Sequence, residues 1–199
     1  MKTIIVFCLF IIMSGLVSAQ EKKGANSWSF QSINNIGFLE GQTGSAFQLQ
    51  TVNGVQYKSW FAGVGAGLDY YRYRTIPLFI DIRKEFFSGP NQLFIYTDAG
   101  VSFTWVTDNQ KMGYVDDHFS NGFYSDLGLG YKRKVGKNDA ILFSLGYSYK
   151  RLDESYTELY YNYNSYNMLP GTETMYNNNQ MQKINYSLNR LSVKIGWEF

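Results

Sequence analysis

The stretch His118-Phe119-Ser120-Asn121 sets the only imidazole of the 199-residue chain two positions from a hydroxyl, with Asp116, Asp117 and Asp126 nearby. A hydroxyl beside a base is the minimum that nucleophilic catalysis requires, while the bland reading is a polar loop. A second candidate runs from Tyr156 to Gln182, where Tyr156, Tyr160, Tyr161, Tyr163, Tyr166 and Tyr176 alternate with six asparagines. Tyrosine and asparagine together make an amphipathic, hydrogen-bonding surface of the type found in paratopes. It reads as a binding loop for an extracellular glycan or protein, or as an extension of two strands whose tyrosines pack across a hairpin. No metal and no cofactor are expected. Asp116-Asp117 lacks the spaced oxygens of a calcium loop, and GVGAG from Gly63 to Gly67 falls inside a strand pattern, not before a helix.

These residues are carried by an exported chain. MKTIIVFCLFIIMSGLVSAQ has a cation at Lys2, an apolar run from Ile4 to Met13 and small residues at Val17-Ser18-Ala19, the pattern of a cleaved secretory signal. Residues 1–19 are therefore expected to be removed, leaving 20–199 as one domain. Cys8, preceded by Phe7, lies in the segment removed, so the mature chain offers no disulfide, thiol nucleophile or lipid-anchoring cysteine. A formal charge of +2 gives no footprint for nucleic acid. No later stretch approaches the ~20 apolar residues of a membrane helix, so any membrane crossing must be made by strands.

Alternation and turn residues predict eight strands, near 28–40, 45–52, 55–72, 76–87, 93–106, 122–135, 140–154 and 184–199. The expected fold class is all-β, an eight-stranded antiparallel up-and-down transmembrane β-barrel. The even connections are tight: Asn53-Gly54, a strong hairpin signal, then Ser88 to Gln92, then Gly136 to Asp139. Of the odd ones, 107–121 and 155–183 are long. One end of short turns and one of large loops is the asymmetry of outer-membrane barrels.

Two faces repeat along the strands. Trp60, Ala62, Val64, Ala66, Leu68 and Tyr70 alternate with Gly63, Gly65, Gly67 and Asp69, and the other strands divide likewise. In a soluble lipocalin-like barrel the apolar set would point inward and strand-weakening glycines would face solvent for no benefit. With the apolar set outward, the glycines make room in a narrow lumen. The polar face then carries five acids, Asp69, Asp81, Asp98, Asp126 and Glu198, and five bases, Arg83, Lys132, Lys150, Arg190 and Lys194. Paired charges would plug a lumen that eight strands leave just wide enough for side chains. In the last strand the alternation slips near Leu188-Asn189, which suggests a bulge.

The final strand has Leu191, Val193, Ile195, Trp197 and Phe199 on one face. This pattern resembles the C-terminal signal by which the barrel-assembly machinery recognises its clients. With the signal segment and the eight-strand layout, nearly the whole mature chain resembles the outer membrane protein beta-barrel domain family, the small OmpA/OmpX-type barrels of Gram-negative bacteria. The resemblance implies a monomer in the outer membrane, in contact with its lipid and presenting external loops for adhesion or partner binding. An accessory barrel of a secretion or uptake complex is an alternative. The H-x-S-N stretch is also similar to that of the lipid A deacylase barrels. That likeness would make Ser120 the nucleophile attacking an acyl ester and His118 its base. That family uses a glutamate farther along to orient the histidine, and here no glutamate lies between Ser120 and Lys150, so Asp126, or Asp116 or Asp117, would have to replace it.

Overall fold

The computed structural model describes residues 28–41, 44–70, 73–105, 115–136, 138–161 and 177–199. They form nine strand segments: β1 (Ser29–Gly41), β2 (Gly44–Tyr57), β3 (Trp60–Tyr70), β4 (Arg74–Phe86), β5 (Asn91–Thr104), β6 (Val115–Ser120), β7 (Gly122–Lys134), β8 (Ala140–Tyr161) and β9 (Asn177–Glu198). All pairings are antiparallel, and β9 returns to pair with β1. Both β6 and β7 lie along β8. Ser120 faces Asp153 whereas Tyr124 faces Lys150, so one extra residue is taken up around Asn121, a bulge. Counting β6 and β7 as one stave, the sheet closes as an eight-stranded up-and-down barrel. The closure includes the last residue, since the backbone N–H groups of Phe199 and Ser32 each donate to the other's carbonyl, at 3.0 and 2.9 Å.

The hydropathy of this barrel is inverted relative to a soluble one. On the outside, Val64, Ile80, Leu129 and Leu145 are 65%, 59%, 66% and 60% exposed, while Asp69, Asp81, Asp126 and Lys150 inside are at 0%. Exposure of a continuous apolar band would be prohibitive in water and is favourable against lipid tails. Strand β3 crosses the band between Trp60 and Tyr70. At ~3.3 Å per residue and a tilt of about 40°, it spans about 25 Å, the height of an outer-membrane apolar belt. Aromatic residues mark the lower edge: Trp28 stacks on Tyr57 with centroids 4.9 Å apart, and Trp60, Trp197 and Phe199 face outward.

Two sequence expectations are corrected. Asn53-Gly54 is not a turn: β2 continues to Tyr57, which pairs with Trp60 around Lys58-Ser59, and Lys58 takes the left-handed φ of 55°. Gly54 serves close approach instead, because a Cβ there would lie 2.5 Å from the Cα of Gly63. Nor is there a bulge at Leu188-Asn189. The β8–β9 register runs uninterrupted from Ala140↔Glu198 to Tyr161↔Asn177; what changes is the environment. The expected signal segment, 1–19, lies outside the described residues.

Candidate functional site

The structure brings the ten charged residues of the polar face into the barrel interior, in three layers. Near the end bearing the long connections, the Lys150 ammonium donates to both Asp69 oxygens at 2.6 and 2.7 Å and to Thr75 at 2.6 Å. These residues belong to β8 and to β3 and β4, so the bonds cross the lumen. Arg190 beside them donates to the carbonyls of Leu39 and Gly44, holding the β1–β2 hairpin. At the middle, Asp81, Asp98 and Asp126 stand directly opposite one another on β4, β5 and β7. Like charges so placed repel. Two cations offset the repulsion: Arg83 forks onto Asp81 at 2.6–3.0 Å, and Lys194 lies 3.0 Å from Asp126 and 3.7 Å from Asp98. Asp126 also accepts from Tyr96 and Ser192 at 3.0 and 3.1 Å. In the lowest layer, Lys132 joins Glu85 at 2.6 Å and Glu198 at 2.5 Å.

The interior holds more than charge. Phe61, Phe79, Phe94, Tyr96 and Tyr124 are buried there with Ile33, Val52 and Leu142. Tyr124 receives a hydrogen bond from Gln50 at 2.8 Å across the lumen, and Arg83 packs among the rings of Phe61, Phe94 and Tyr96. These aromatics, with Glu85 and Glu154, were missed by the sequence reading. Their signal is glycine on the neighbouring strand: Phe79 pairs with Gly65, Phe94 with Gly130 and Tyr96 with Gly128. At Gly65 and Gly130 a side chain would collide with the partner ring. Inward glycine thus makes space for an inward ring.

Above the belt the β8–β9 hairpin stands free of most of the wall. The last rung between β9 and β1 is Glu40↔Leu191, and among the described residues β6 alone accompanies the hairpin along β8 beyond Lys150. Here polarity inverts without a shift of register. Below, Leu145, Tyr147, Leu191 and Val193 face outward; above, Arg151, Ser187 and Asn189 take the outward positions while Leu152 is buried inward. Leu188, also inward, packs against Leu39 and Ala46, and Tyr186 donates to Glu154 at 2.6 Å. Of the candidate loop tyrosines, Tyr156 is half-buried on β8; Tyr160 and Tyr161 are strand residues at its tip; Tyr163, Tyr166 and Tyr176 lie outside the described residues.

The H-x-S-N residues are separated from their expected acid. His118 and Ser120 are exposed on the outward face of β6, with Phe119 between them turned toward Tyr73, ring centroids 4.7 Å apart. Asp126 is sealed inside the barrel and cannot orient His118. The register instead puts Asp153 opposite Ser120 and Ser155 opposite His118. Asp153 lies 3.6 Å from Arg151. Val115 to Asp117 are strand residues whose side chains are not described. Leu191, Val193, Ile195, Trp197 and Phe199 form one outward column on the closing strand. Among the described residues, no group of histidine, cysteine and carboxylates could hold a metal ion.

No family model and no curated protein matches the chain. Solved structures do. The outer membrane protein OprG from Pseudomonas aeruginosa superposes with a TM-score of 0.55 at 9% identity, over 89% of this chain and 98% of that one. Neisserial surface protein A gives 0.51 at 12% identity, over 88% and 98%. The fold is that of the small outer-membrane barrels. With its apolar exterior and ionic interior, the protein is a membrane-spanning barrel of the outer-membrane type.

Proposed function

We propose that the protein is a filled outer-membrane barrel that holds the β8–β9 hairpin and its Tyr/Asn-rich segment outside the cell, as a binding surface for an extracellular glycan or protein. The observation that carries this reading is the inversion of polarity along an unbroken hairpin. A strand pair whose outward face on β9 is apolar up to Leu191 and polar from Asn189 to Lys183 is built to leave the lipid and stand in water. A rigid barrel then supports it, as binding loops are commonly supported by a fixed scaffold. The interior favours presentation over conduction: Lys150–Asp69 and Gln50–Tyr124 cross a lumen already occupied by rings. The outward column from Leu191 to Phe199 would serve recognition by the barrel-assembly machinery. Deleting Tyr160 to Asn179 tests the reading. Insertion, seen as a heat-dependent shift of mobility on SDS gels, should persist while binding to other cells or immobilised glycans disappears. Unchanged binding would remove the hairpin from consideration.

A second reading, an acyl-ester hydrolase acting on lipid A, draws support from Asp153, which the register sets opposite Ser120 on the strand beside His118. It predicts that lipid A loses an acyl chain when the protein is expressed and keeps it with Ser120→Ala. Identical lipid A masses with and without the protein would end it.

A further inference from the structure

The two edges of the lipid-facing belt carry different charge. At the external edge the outward positions mix signs, with Arg74 and Arg151 against Glu40 and Asp153. At the edge bearing the short turns, two of the apolar columns end in cations. On β4 the outward series is Leu78, Ile80, Ile82, then Lys84; on β7 it is Leu127, Leu129, Tyr131, then Arg133. Lys134 follows Arg133, and Lys58 occupies the β2–β3 turn. None of these four is in an ion pair with a carboxylate among the described residues. Asp139 lies in the turn after β7 and pairs with none of the four, and Glu85 and Glu198 are already joined to Lys132 inside the barrel. Two of the cations are also held at the level of the aromatic girdle: the Lys84 ammonium sits 4.5 Å from the Trp60 ring centroid and 2.8 Å from the Ser59 hydroxyl, and that of Lys58 lies 5.2 Å from the Tyr57 ring.

We infer that Lys58, Lys84, Arg133 and Lys134 form a binding edge for the phosphates of anionic phospholipids in the periplasmic leaflet. Lipid phosphates lie just beyond the girdle, where columns of apolar side chains ending in a cation can take the acyl chain and the headgroup of one molecule together. A partner in the periplasm would be met by cations projecting away from the membrane; Lys84 and Lys58 are folded back onto girdle rings. Lys58, Arg133 and Lys134 are exposed and Lys84 is half-buried, so salt screens the site and the selectivity is modest, about tenfold over a zwitterionic lipid at low ionic strength and less at high.

The full-length mature protein, purified in neutral detergent, can be offered equal amounts of phosphatidylglycerol and phosphatidylcholine with the same acyl chains, and the retained lipids counted by native mass spectrometry. Phosphatidylglycerol should be retained preferentially. The preference should fall toward parity in Lys58→Gln/Lys84→Gln/Arg133→Gln/Lys134→Gln and survive both in Lys84→Arg/Arg133→Lys and in the external control Arg74→Gln/Arg151→Gln. Heat-dependent mobility verifies that each variant is a folded barrel; should the fourfold variant not fold, Lys84→Gln/Arg133→Gln alone must reduce the preference. Absence of preference in the wild type, its survival in the glutamine variants, equal loss in the external control, or equal competition by inorganic phosphate would each overturn the assignment.

Discussion

The same two strands obey opposite rules on either side of Leu191. From Ala140 to Lys150 and from Leu191 to Glu198, β8 and β9 show lipid an apolar face and keep serine, lysine and glutamate inside. From Arg151 on β8 and from Asn189 to Lys183 on β9, the outward face is polar, and Leu152 and Leu188 point inward. Backbone pairing is common to both halves, so it cannot be the cause. The difference lies in the solvent at the outer face: hydrocarbon below, water above. The interior follows from that choice. A wall that has spent its apolar side chains on lipid is left with polar ones for the lumen, and these must satisfy one another.

The largest effect should come from unbalancing the lower interior. Lys194→Met leaves Asp126 and Asp98 buried without their shared cation and should cost about 3–5 kcal/mol, measured as a lower urea midpoint for unfolding from lipid vesicles. Lys183→Met, on the exposed outward side of the upper hairpin, should change the midpoint by less than about 0.5 kcal/mol. Equal losses would mean that the two halves do not differ as described.

An intermediate effect belongs to the outer face. Val193→Lys places an ammonium against lipid tails near the middle of the belt and should destabilise by about 2–4 kcal/mol. Ser187→Lys makes the same charge on the same strand and face but in water, at a cost near zero. The pair locates the boundary: moving the lysine through positions 193, 191 and 189 should show the penalty fading as it leaves the hydrocarbon.

The barrel was legible in the sequence because alternation with period two survives in nearly every stave, and because glycine and charge share one face. The chain positions where that reading erred have physical reasons. Asn-Gly at 53–54 has the chemistry of a tight turn, but the residues of β3 needed close approach there, and only pairing reveals that use. A change of environment and a bulge leave the same mark on a single strand, a broken alternation, so Leu188-Asn189 was read as the wrong one. The interior rings were hidden because Phe79, Phe94 and Tyr96 have the composition of a lipid belt; each becomes recognisable only once its glycine partner is known. The acid opposite Ser120 depends on register across β6 and β8 and on a bulge at Asn121, neither of which a linear reading supplies. Asp126, closer in sequence, lies on the other side of the wall.

The smallest effect concerns the seam between the halves. Leu188 is the first inward residue of β9 above the wall, and it packs on Leu39 and Ala46, both buried at the top of β1 and β2. Leu188→Ser should remove that contact while leaving the layers of ion pairs below intact. Because the side chain is only partly buried, the cost is about 1 kcal/mol, at the low end for deleting apolar atoms from a packed site. Its expression should be local. The urea midpoint of the barrel should scarcely move, whereas backbone amides of β9 from Lys183 to Asn189 should exchange with solvent several-fold faster, since strand edges lacking a neighbour open below the global free energy. Val193→Ala, within the belt, provides the contrast, because its site is braced by β1 on one side and β8 on the other. Faster exchange confined to the upper hairpin would show that its order depends on the apolar seam. Exchange that accelerated equally along all of β9 would make the hairpin and the wall one cooperative unit, and the boundary at Leu191 a boundary of solvent alone.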